Sequence, residues 1–273
     1  MPFATLNAEL ACAVLAKAGL GFVPEQLHLE MREERWLIRL PENRMAWFIH
    51  MEDDWQVRAM VPGVCDPARV FAQVLDNAEL AQRTGAAMGA ILAEQHAGVH
   101  AADVADWLPL QPEWPRSPEW IRERLGRVTN DTELIAGVEA VLTRCEGLTI
   151  AEADRALVPG DLGFHNIAVD PATLQVGGVF DYEGAAWADR HHDFRYLVFD
   201  RENFEVLDAA IAVYETKLHR KVDRGRVFLY NAACAITFLA NRDGFGPEDR
   251  PCGRTLAEDE RWSRHAIATA REL

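Results

Sequence analysis

The segment from Leu157 to Asp181 constrains the fold of this chain more than any other. Its apolar start stops at Pro159–Gly160, which predicts a buried strand followed by an irregular loop. Two short strands are then expected, over 166–170 and 175–181. Because a hairpin brings the chain back to the end where it began, polar side chains in the loop and at the open end of the hairpin should lie together. Those side chains are Asp161, Asn166 and Asp181.

Three oxygen-bearing side chains in this arrangement are suited to phosphoryl transfer from ATP. Asp161 is predicted to be the base that accepts or orients the proton of an attacking hydroxyl group. Asn166 and Asp181 are predicted to bind Mg²⁺, which prefers hard oxygen ligands and usually keeps waters and phosphate oxygens as well. Each residue also has a purely structural explanation, as a turn, a cap or a strand end. The joint pattern favours the functional interpretation.

The size and composition are those of an ordinary globular protein. The 273 residues suffice for one large domain or two small ones, and the net charge of −15 disfavours nucleic acids and anionic membranes as partners. No apolar run is long enough to span a membrane, and no secretory signal is visible at the N-terminus. Five scattered cysteines predict neither a disulfide framework nor a metal site. We therefore expect a cytoplasmic protein whose oligomeric state stays open.

The hydrophobic pattern predicts an α+β fold, with a β-rich part followed by a mainly helical part. Residues 1–62 should contain a helix over 6–19 and a small antiparallel sheet, and residues 63–273 should be mainly helical apart from the hairpin. The strands of the sheet are expected over 26–30, 35–40, 45–51 and 55–61. Helix starts are marked by capping residues at Asp66–Pro67, Ser117–Pro118, Thr149 with Glu152, and Thr255 with Glu258.

The motifs around Asp161 and Asp181 resemble those of the aminoglycoside phosphotransferase/choline kinase family. Leu157–Asn166 is similar to the catalytic loop of the family, and Val179–Ala185 is similar to its metal-binding motif. Glu79–His96 looks like the first helix of the family's C-lobe. Ala188–Phe194 looks like the segment whose last aspartate, here Asp193, braces the catalytic loop. The resemblance extends over residues 60–240.

This resemblance implies a protein-kinase-like two-lobed fold, with a small N-lobe over 1–62 and a C-lobe over 63–273. It implies an ATP-dependent kinase that uses Mg²⁺ and phosphorylates a hydroxyl group of a polar small molecule, with aminoglycosides as the family default. The adenine should meet the backbone of the strand that runs from Arg58 through Met60. Arg39 is the strand cation expected to contact the phosphates, although most relatives have lysine there.

Three features depart from the family pattern. Pro159 stands where a histidine usually supports the catalytic loop, and the turn after Glu30 has no glycine to let phosphates approach the backbone. Two strands use up the length between Arg39 and Arg58, so no place remains for the family's helix or for the glutamate that pairs with the strand cation. A catalytically silent, kinase-like binding protein is therefore the alternative hypothesis. A third is a kinase whose acceptor is an amino alcohol or a sugar.

The remaining polar candidates are less specific. Glu183 could contact metal or substrate, or lie at the surface, and His165 is expected to pack within the loop. The adjacent His191 and His192 point apart in either a helix or a strand, which argues against a shared metal ion. The acceptor is expected beside the acid-rich segments 248–249 and 258–260.

Overall fold

The computed structural model describes residues 6–17, 19–32, 35–41, 45–51, 54–59, 61, 63–104, 106–198 and 204–271. Contacts within the chain group it into two compact units. The first unit comprises Met1–Val64 with Ala168–Val179, and the second comprises Cys65–Ile167 with Phe180–Leu273. In the described part of the chain, no helix is long and apolar enough to cross a membrane. All five cysteines are free thiols.

The first unit is built on a four-stranded antiparallel sheet whose strands pair in chain order. Helix α1, Ala8–Lys17, packs one face against this sheet, because its buried residues Ala11, Val14 and Leu15 follow the spacing of a single helix face. The predicted strands and helix are confirmed to within two residues at each end. The strands are β1 His28–Arg32, β2 Arg35–Arg39, β3 Met45–Met51 and β4 Asp54–Ala59.

The predicted hairpin is present, but it starts one residue later than expected. Its strands, β6 (Ile167–Val169) and β7 (Val176–Val179), form a two-stranded sheet. The turn between them is held by Asp170 Oδ1, which accepts the backbone N–H groups of the turn. Asn166 is not a strand residue. Its N–H donates to Gly163 O at 2.9 Å, which closes a 3₁₀ turn before the first strand.

The second unit is mainly helical, and a short antiparallel sheet carries the loops of interest. In this sheet β5, Arg155–Val158, pairs with β8, Ala186–Asp189, and Val158 lies opposite Ala186. The loop that follows β5 and the loop that precedes β8 therefore lie at the same end of the sheet. The helices are α2 Pro67–Asp76, α3 Ala78–Gly98, α4 Ala101–Val104, α5 Pro118–Val128, α6 Thr132–Glu146, α7 His191–Phe194, α8 Glu205–Leu218, α9 Arg224–Ala240 and α10 Leu256–Arg271.

Most of the predicted helix starts are confirmed by their capping hydrogen bonds. The side chain of Asp66 accepts an N–H group from the first turn of α2, that of Ser117 does so for α5, and that of Thr255 does so for α10. The cap predicted at Thr149 is wrong. A strand begins at Arg155 and leaves room only for the 3₁₀ turn Glu152–Asp154, which has no side-chain cap.

Helices α3 and α8 approach each other closely because α3 presents glycines at the contact. A Cβ added to Gly85 would lie 2.2 Å from the carbonyl oxygen of Val206, and one added to Gly89 would lie 2.2 Å from that of Ala210. Such distances are far below van der Waals contact, so this interface has no space for side chains at either position. The helix pair forms part of the buried core of the second unit.

Candidate active site

The loop after β5 begins at Gly160, where the backbone requires glycine. Its φ is +87°, in the left-handed region. A Cβ at Gly160 would lie 2.3 Å from the carbonyl oxygen of Gly184, so the loop after β5 and the loop before β8 meet backbone to backbone. This contact places Asp161 beside the segment that follows Asp181.

Asp161 pairs with a histidine of its own loop. His165 Nε2 lies 2.9 Å from Asp161 Oδ2, and both side chains are about half exposed. The ring folds back over Gly163, where a Cβ would lie 2.3 Å from its Cε1 atom. The expectation that His165 merely packs is therefore wrong. The absence of a side chain at Gly163 is the signal that allows this contact.

The groups around Asp161 keep its carboxyl ionised. Partial burial raises the pKa of Asp161, but the hydrogen bond to His165 and the positive charges of His165 and Arg195 together outweigh burial and hold that pKa below its usual value. The hydrogen bond to Asp161 is also the main reason that the pKa of His165 lies above its usual value, and the charge of Asp181 adds to it. An ionised carboxylate is the form that can accept a proton.

Asn166 connects the two loops. Its side chain is buried, and Nδ2 donates to the backbone oxygen of Asp161 at 2.8 Å. Its backbone oxygen accepts the N–H of Phe180 at 3.0 Å, one residue before Asp181. Because Nδ2 is used within the loop, the amide oxygen is the atom that Asn166 can offer to a cation.

Asp161 and Asp181 line the same cavity, which has a volume of about 370 Å³ and lies within the second unit. Asp181 has a φ of +66°, a backbone conformation that aspartate adopts more readily than most residues. Trp114 and Phe238 stack on each other at 4.9 Å between ring centroids and form an aromatic part of the wall. The other lining residues are Glu113, Gly160, Glu183, Gly184, Arg195, Tyr196 and Cys234.

The chemistry of the two predicted ligands fits Mg²⁺, although only Asp181 is among the residues that line this cavity. Asp181 offers carboxylate oxygens, and the amide oxygen of Asn166 is hard and uncharged. Mg²⁺ takes few protein ligands when it also binds waters and phosphate oxygens. His191 and His192 do not offer an alternative metal site, because His191 pairs with Asp189 whereas His192 stacks on Tyr230.

Comparison with known proteins identifies the family. A family model described as the phosphotransferase enzyme family matches residues 11–227. The chain belongs to this family. It is therefore a phosphotransferase enzyme of the kind that acts on small molecules, as the loop and hairpin motifs predicted. No curated protein sequence matches the chain.

Solved structures of small-molecule kinases share the fold of this phosphotransferase. A variant of aminoglycoside 2′-phosphotransferase-IIIa in complex with GDP has a TM-score of 0.58 at 12% identity, over 97% of this chain and 95% of that one. The choline kinase LicA from Streptococcus pneumoniae has a TM-score of 0.54 at 13% identity, over 89% and 92% of the two chains. The macrolide 2′-phosphotransferase MphH from Brachybacterium faecium has a TM-score of 0.53 at 16% identity, over 96% and 97%. The predicted protein-kinase-like α+β fold is confirmed.

The residues predicted to contact the nucleotide belong to the first unit of the phosphotransferase. Arg39 is half exposed on β2, and its Nη2 atom lies 3.6 Å from Glu30 Oε2 on β1. Strands β3 and β4 occupy the length between Arg39 and Arg58, as expected, so the family's helix and its glutamate have no counterpart in that segment; Glu30 is a different residue, on a neighbouring strand. Arg58 lies on β4 opposite Trp47, and Met60 lies outside the described residues. The nucleotide contacts of Arg39, Arg58 and Met60 stay predictions.

The aspartate expected to brace the catalytic loop has other partners. Asp193 is fully buried, and its Oδ2 atom lies 2.9 Å from His96 Nε2 on α3. Its Oδ1 atom has no hydrogen-bond partner within the described residues. The loop is held instead from the turn that follows: the Tyr196 hydroxyl donates to Gly160 O, and Arg195 Nη2 lies 3.5 Å from the same oxygen. Sequence reasoning missed both residues, although they directly follow the motif that it used.

The acid-rich segments expected beside the acceptor are engaged in contacts within the second unit. Asp259 is buried and pairs with Arg254 at 2.6 Å. Glu258 accepts the N–H of Thr255 at 2.7 Å and so caps α10. These carboxylates are not among the residues that line the cavity with Asp161.

Proposed function

We propose that this phosphotransferase moves the γ-phosphoryl group of ATP to a hydroxyl group of a polar small molecule. The observation that carries the proposal is the convergence of Asp161 and Asp181 on one cavity, with Asn166 hydrogen-bonded to the backbone of Asp161. A cavity lined by two aspartates, with an asparagine in the adjoining loop, is compatible with phosphoryl transfer from a metal-bound nucleotide.

Asp161 acts as the base in this proposal. The hydroxyl group of the acceptor donates to the ionised carboxylate, which orients it for attack and takes its proton as the bond to phosphorus forms. His165 fixes one carboxylate oxygen by its hydrogen bond at 2.9 Å and so restricts the rotation of the side chain. Gly160 and Gly184 keep the two loops in contact, which fixes the separation of the base from the metal ligands.

Asn166 and Asp181 hold Mg²⁺ in this proposal. Phosphoryl transfer requires the negative charge on the phosphates to be neutralised, and the bound ion would do this. Asn166 holds its own position through hydrogen bonds on both sides, to Asp161 and from Phe180. The position of Asn166 is therefore held by the loop before any ion binds.

The nucleotide side of the proposal rests on the first unit. Residues 1–62 act as the N-lobe and 63–273 as the C-lobe, with Arg39 at the phosphates and the backbone from Arg58 through Met60 at the adenine. The exposure of Arg39 supports the first role, because β2 presents a permanently charged guanidinium to solvent beside Glu30. A cytoplasmic location belongs to the same proposal, and five free thiols support it.

The acceptor is a small molecule with a free hydroxyl group, and an aminoglycoside is one candidate. The structural neighbours include enzymes named for aminoglycosides, macrolides and choline. The cavity offers both carboxylates and the stacked rings of Trp114 and Phe238, which together suit a molecule with amine and apolar parts.

A thermal-shift titration with ATP tests the proposal. We expect ATP to raise the melting temperature only when Mg²⁺ is present, with about 2.7 kcal/mol of stabilisation at one hundred times the Kd. Asp181→Ala should abolish that response, whereas Asp76→Ala, an exposed carboxylate at the end of α2, should keep it.

Asp161→Asn should keep the response but lower ADP release with an acceptor panel by about 10²- to 10⁴-fold. No response to ATP in the parent protein would favour the silent binding protein instead.

A further inference from the structure

The backbone carbonyl just before Asp161 is held by two consecutive side chains. The Tyr196 hydroxyl donates to Gly160 O, and Arg195 Nη2 lies 3.5 Å from the same atom and 2.5 Å from the Tyr196 oxygen. The Arg195 guanidinium also lies over the Tyr196 ring, 3.8 Å from its centroid. The two side chains and the carbonyl therefore form one connected group, here called the Gly160 clamp.

The Gly160 clamp contains a buried positive charge that is attracted by Asp161 and Asp193 but has no carboxylate within ion-pair distance in the described residues. Arg195 is 5% exposed and stays protonated at any ordinary pH. Its Nη1 atom lies 3.1 Å from Cys234 Sγ on α9, and within the described residues it makes no ion pair. Burying an unpaired guanidinium costs free energy. A residue kept at such a cost is a candidate for a function in the cavity that it lines.

The clamp completes the fixation of Asp161 from every side. The preceding carbonyl is held by Tyr196 and Arg195, the following carbonyl accepts from Asn166 at 2.8 Å, and the carboxylate accepts from His165 at 2.9 Å. The positive charge of Arg195 also helps to hold the pKa of Asp161 below its usual value. In the described part of the chain, the Gly160 carbonyl accepts side-chain hydrogen bonds from Tyr196 and Arg195, and Gly160 also packs against the backbone of Gly184.

The other supports that could have held this peptide are engaged elsewhere or absent. Pro159 has no N–H group and no polar side chain. Asp193 does not bond to this peptide: its Oδ2 atom lies 2.9 Å from His96 Nε2, and its Oδ1 atom has no hydrogen-bond partner in the described residues. We propose that Tyr196 and Arg195 are the positioning residues of the catalytic loop, which hold Asp161 in place through the carbonyl of Gly160 and connect it to α9 through Cys234. This inference rests on the proposed function of Asp161 as the base.

Tyr196→Phe removes the donor to Gly160 and keeps the ring. We expect kcat to fall about 10- to 100-fold. A small displacement of the Asp161 carboxylate takes it out of alignment with the acceptor hydroxyl group. The KM for ATP should stay within two-fold of the parent's. Tyr214→Phe is the matched control: it also removes a buried hydroxyl in the second unit, one that lies 2.9 Å from His96 Nδ1, and should leave kcat nearly unchanged.

Non-additivity distinguishes positioning from a general loss of structure. If Tyr196 acts only through the base, Tyr196→Phe should lower the residual rate of Asp161→Asn by less than two-fold. A structural role would lower it by the same factor as in the parent. Arg195→Lys keeps the charge and loses the planar fork, so we expect it to recover only part of the activity that Arg195→Met loses.

Hydrogen exchange of the loop tests the clamp without any activity. Exchange of the backbone N–H groups in 161–166 should be faster in Tyr196→Phe than in Tyr214→Phe, while the exchange of α9 stays equal in the two variants. Equal loop exchange in both variants would overturn the clamp, even for a chain that shows no kinase activity. If the parent protein is inactive on every acceptor but loop exchange is faster in Tyr196→Phe, the proposed function is wrong and the clamp is supported. An active parent with an unchanged kcat in Tyr196→Phe would overturn the inference alone.

Discussion

Single residues of the catalytic loop depend on neighbours that have no side chain. Gly160 adopts a left-handed φ and touches the carbonyl of Gly184, and Gly163 leaves space for the His165 ring. Both effects act on Asp161, the first through its backbone and the second through its carboxylate. The position of Asp161, the proposed base, is therefore decided as much by the glycines as by its own polar contacts.

Gly160→Ala should disable the enzyme. The left-handed φ of +87° costs an alanine about 1–2 kcal/mol, and its Cβ would lie 2.3 Å from a backbone oxygen that cannot move alone. We expect a loss of kcat of at least about ten-fold together with a lower free energy of unfolding. Gly126→Ala on α5 is the control, because nothing lies within 4 Å of that Cβ and a helical alanine stabilises by up to about 1 kcal/mol. Equal effects of the two substitutions would contradict this account.

The meeting of Asp161 and Asp181 at one cavity could be predicted from residue types and spacing, whereas the supporting contacts could not. Asp161, Asn166 and Asp181 were recognised because their spacing on a strand, loop and hairpin is distinctive. Arg195 and Tyr196 were missed because a contact with Gly160 depends on how a distant turn packs, which spacing along the chain does not encode. The roles of the three recognised residues stay predictions until the substitutions are measured.

At the scale of elements, the closest helix contact in the second unit is set by glycines. Gly85 and Gly89 are one turn apart on α3 and both face carbonyl oxygens of α8. The sequence predicted α3 by its apolar spacing, but it could not show that these glycines are interface residues. The same limit explains the error at Thr149, where a capping pattern was overridden by the start of β5.

Gly89→Ala should destabilise the second unit by overpacking. The added Cβ would lie 2.2 Å from the carbonyl oxygen of Ala210, so the two helices must separate, at an expected cost of about 1–3 kcal/mol. Gly98→Ala, at the end of the same helix, has nothing within 4 Å of its Cβ and should not destabilise. Urea unfolding of the two variants measures the difference. A Gly89→Ala protein as stable as the parent would show that α3 and α8 are packed less closely than described.

For the whole molecule, a buried histidine gives stability a pH dependence above the range of the carboxylates. His192 is buried and stacks on Tyr230. Burial, with smaller contributions from the charges of Arg195 and His191 and against the opposing charge of Asp189, lowers the pKa of His192 to about 3. The unfolded chain binds a proton at this residue below a pH of about 6.5, and the folded chain does not. The free energy of unfolding should therefore fall as pH decreases from 6.5.

His192→Phe should flatten this dependence. The aromatic ring can still stack on Tyr230, but it binds no proton in either state. Between about pH 6 and 4.5 we expect the variant to lose about 1 kcal/mol less per pH unit than the parent. His100→Phe at an exposed position is the control, and it should keep the slope of the parent. Urea unfolding at several pH values gives the slopes, and identical slopes for all three proteins would rule out His192 as the source.

The overall architecture was the part of the molecule most accessible from the sequence. The change from alternating to helical periodicity near residue 62 predicted a β-rich part and a helical part, and both are present. The contacts of the hairpin were not foreseen: its strands group with the first unit, because Val169 bonds to the backbone of Val64. Such long-range pairing depends on tertiary packing rather than on local pattern.

The Glu30–Arg39 pair joins two adjacent strands, and this has a consequence for control of the enzyme. In protein kinases, the glutamate that pairs with the phosphate-binding lysine sits on a helix. The position of that helix makes or breaks the ion pair and so regulates the enzyme. Strands β1 and β2 are joined by a ladder in which Glu30 lies opposite Leu37, so the glutamate cannot leave without breaking the sheet. An ion pair between neighbouring strands cannot be made or broken by moving a helix, so this pair would offer no such switch if Arg39 binds phosphate as proposed.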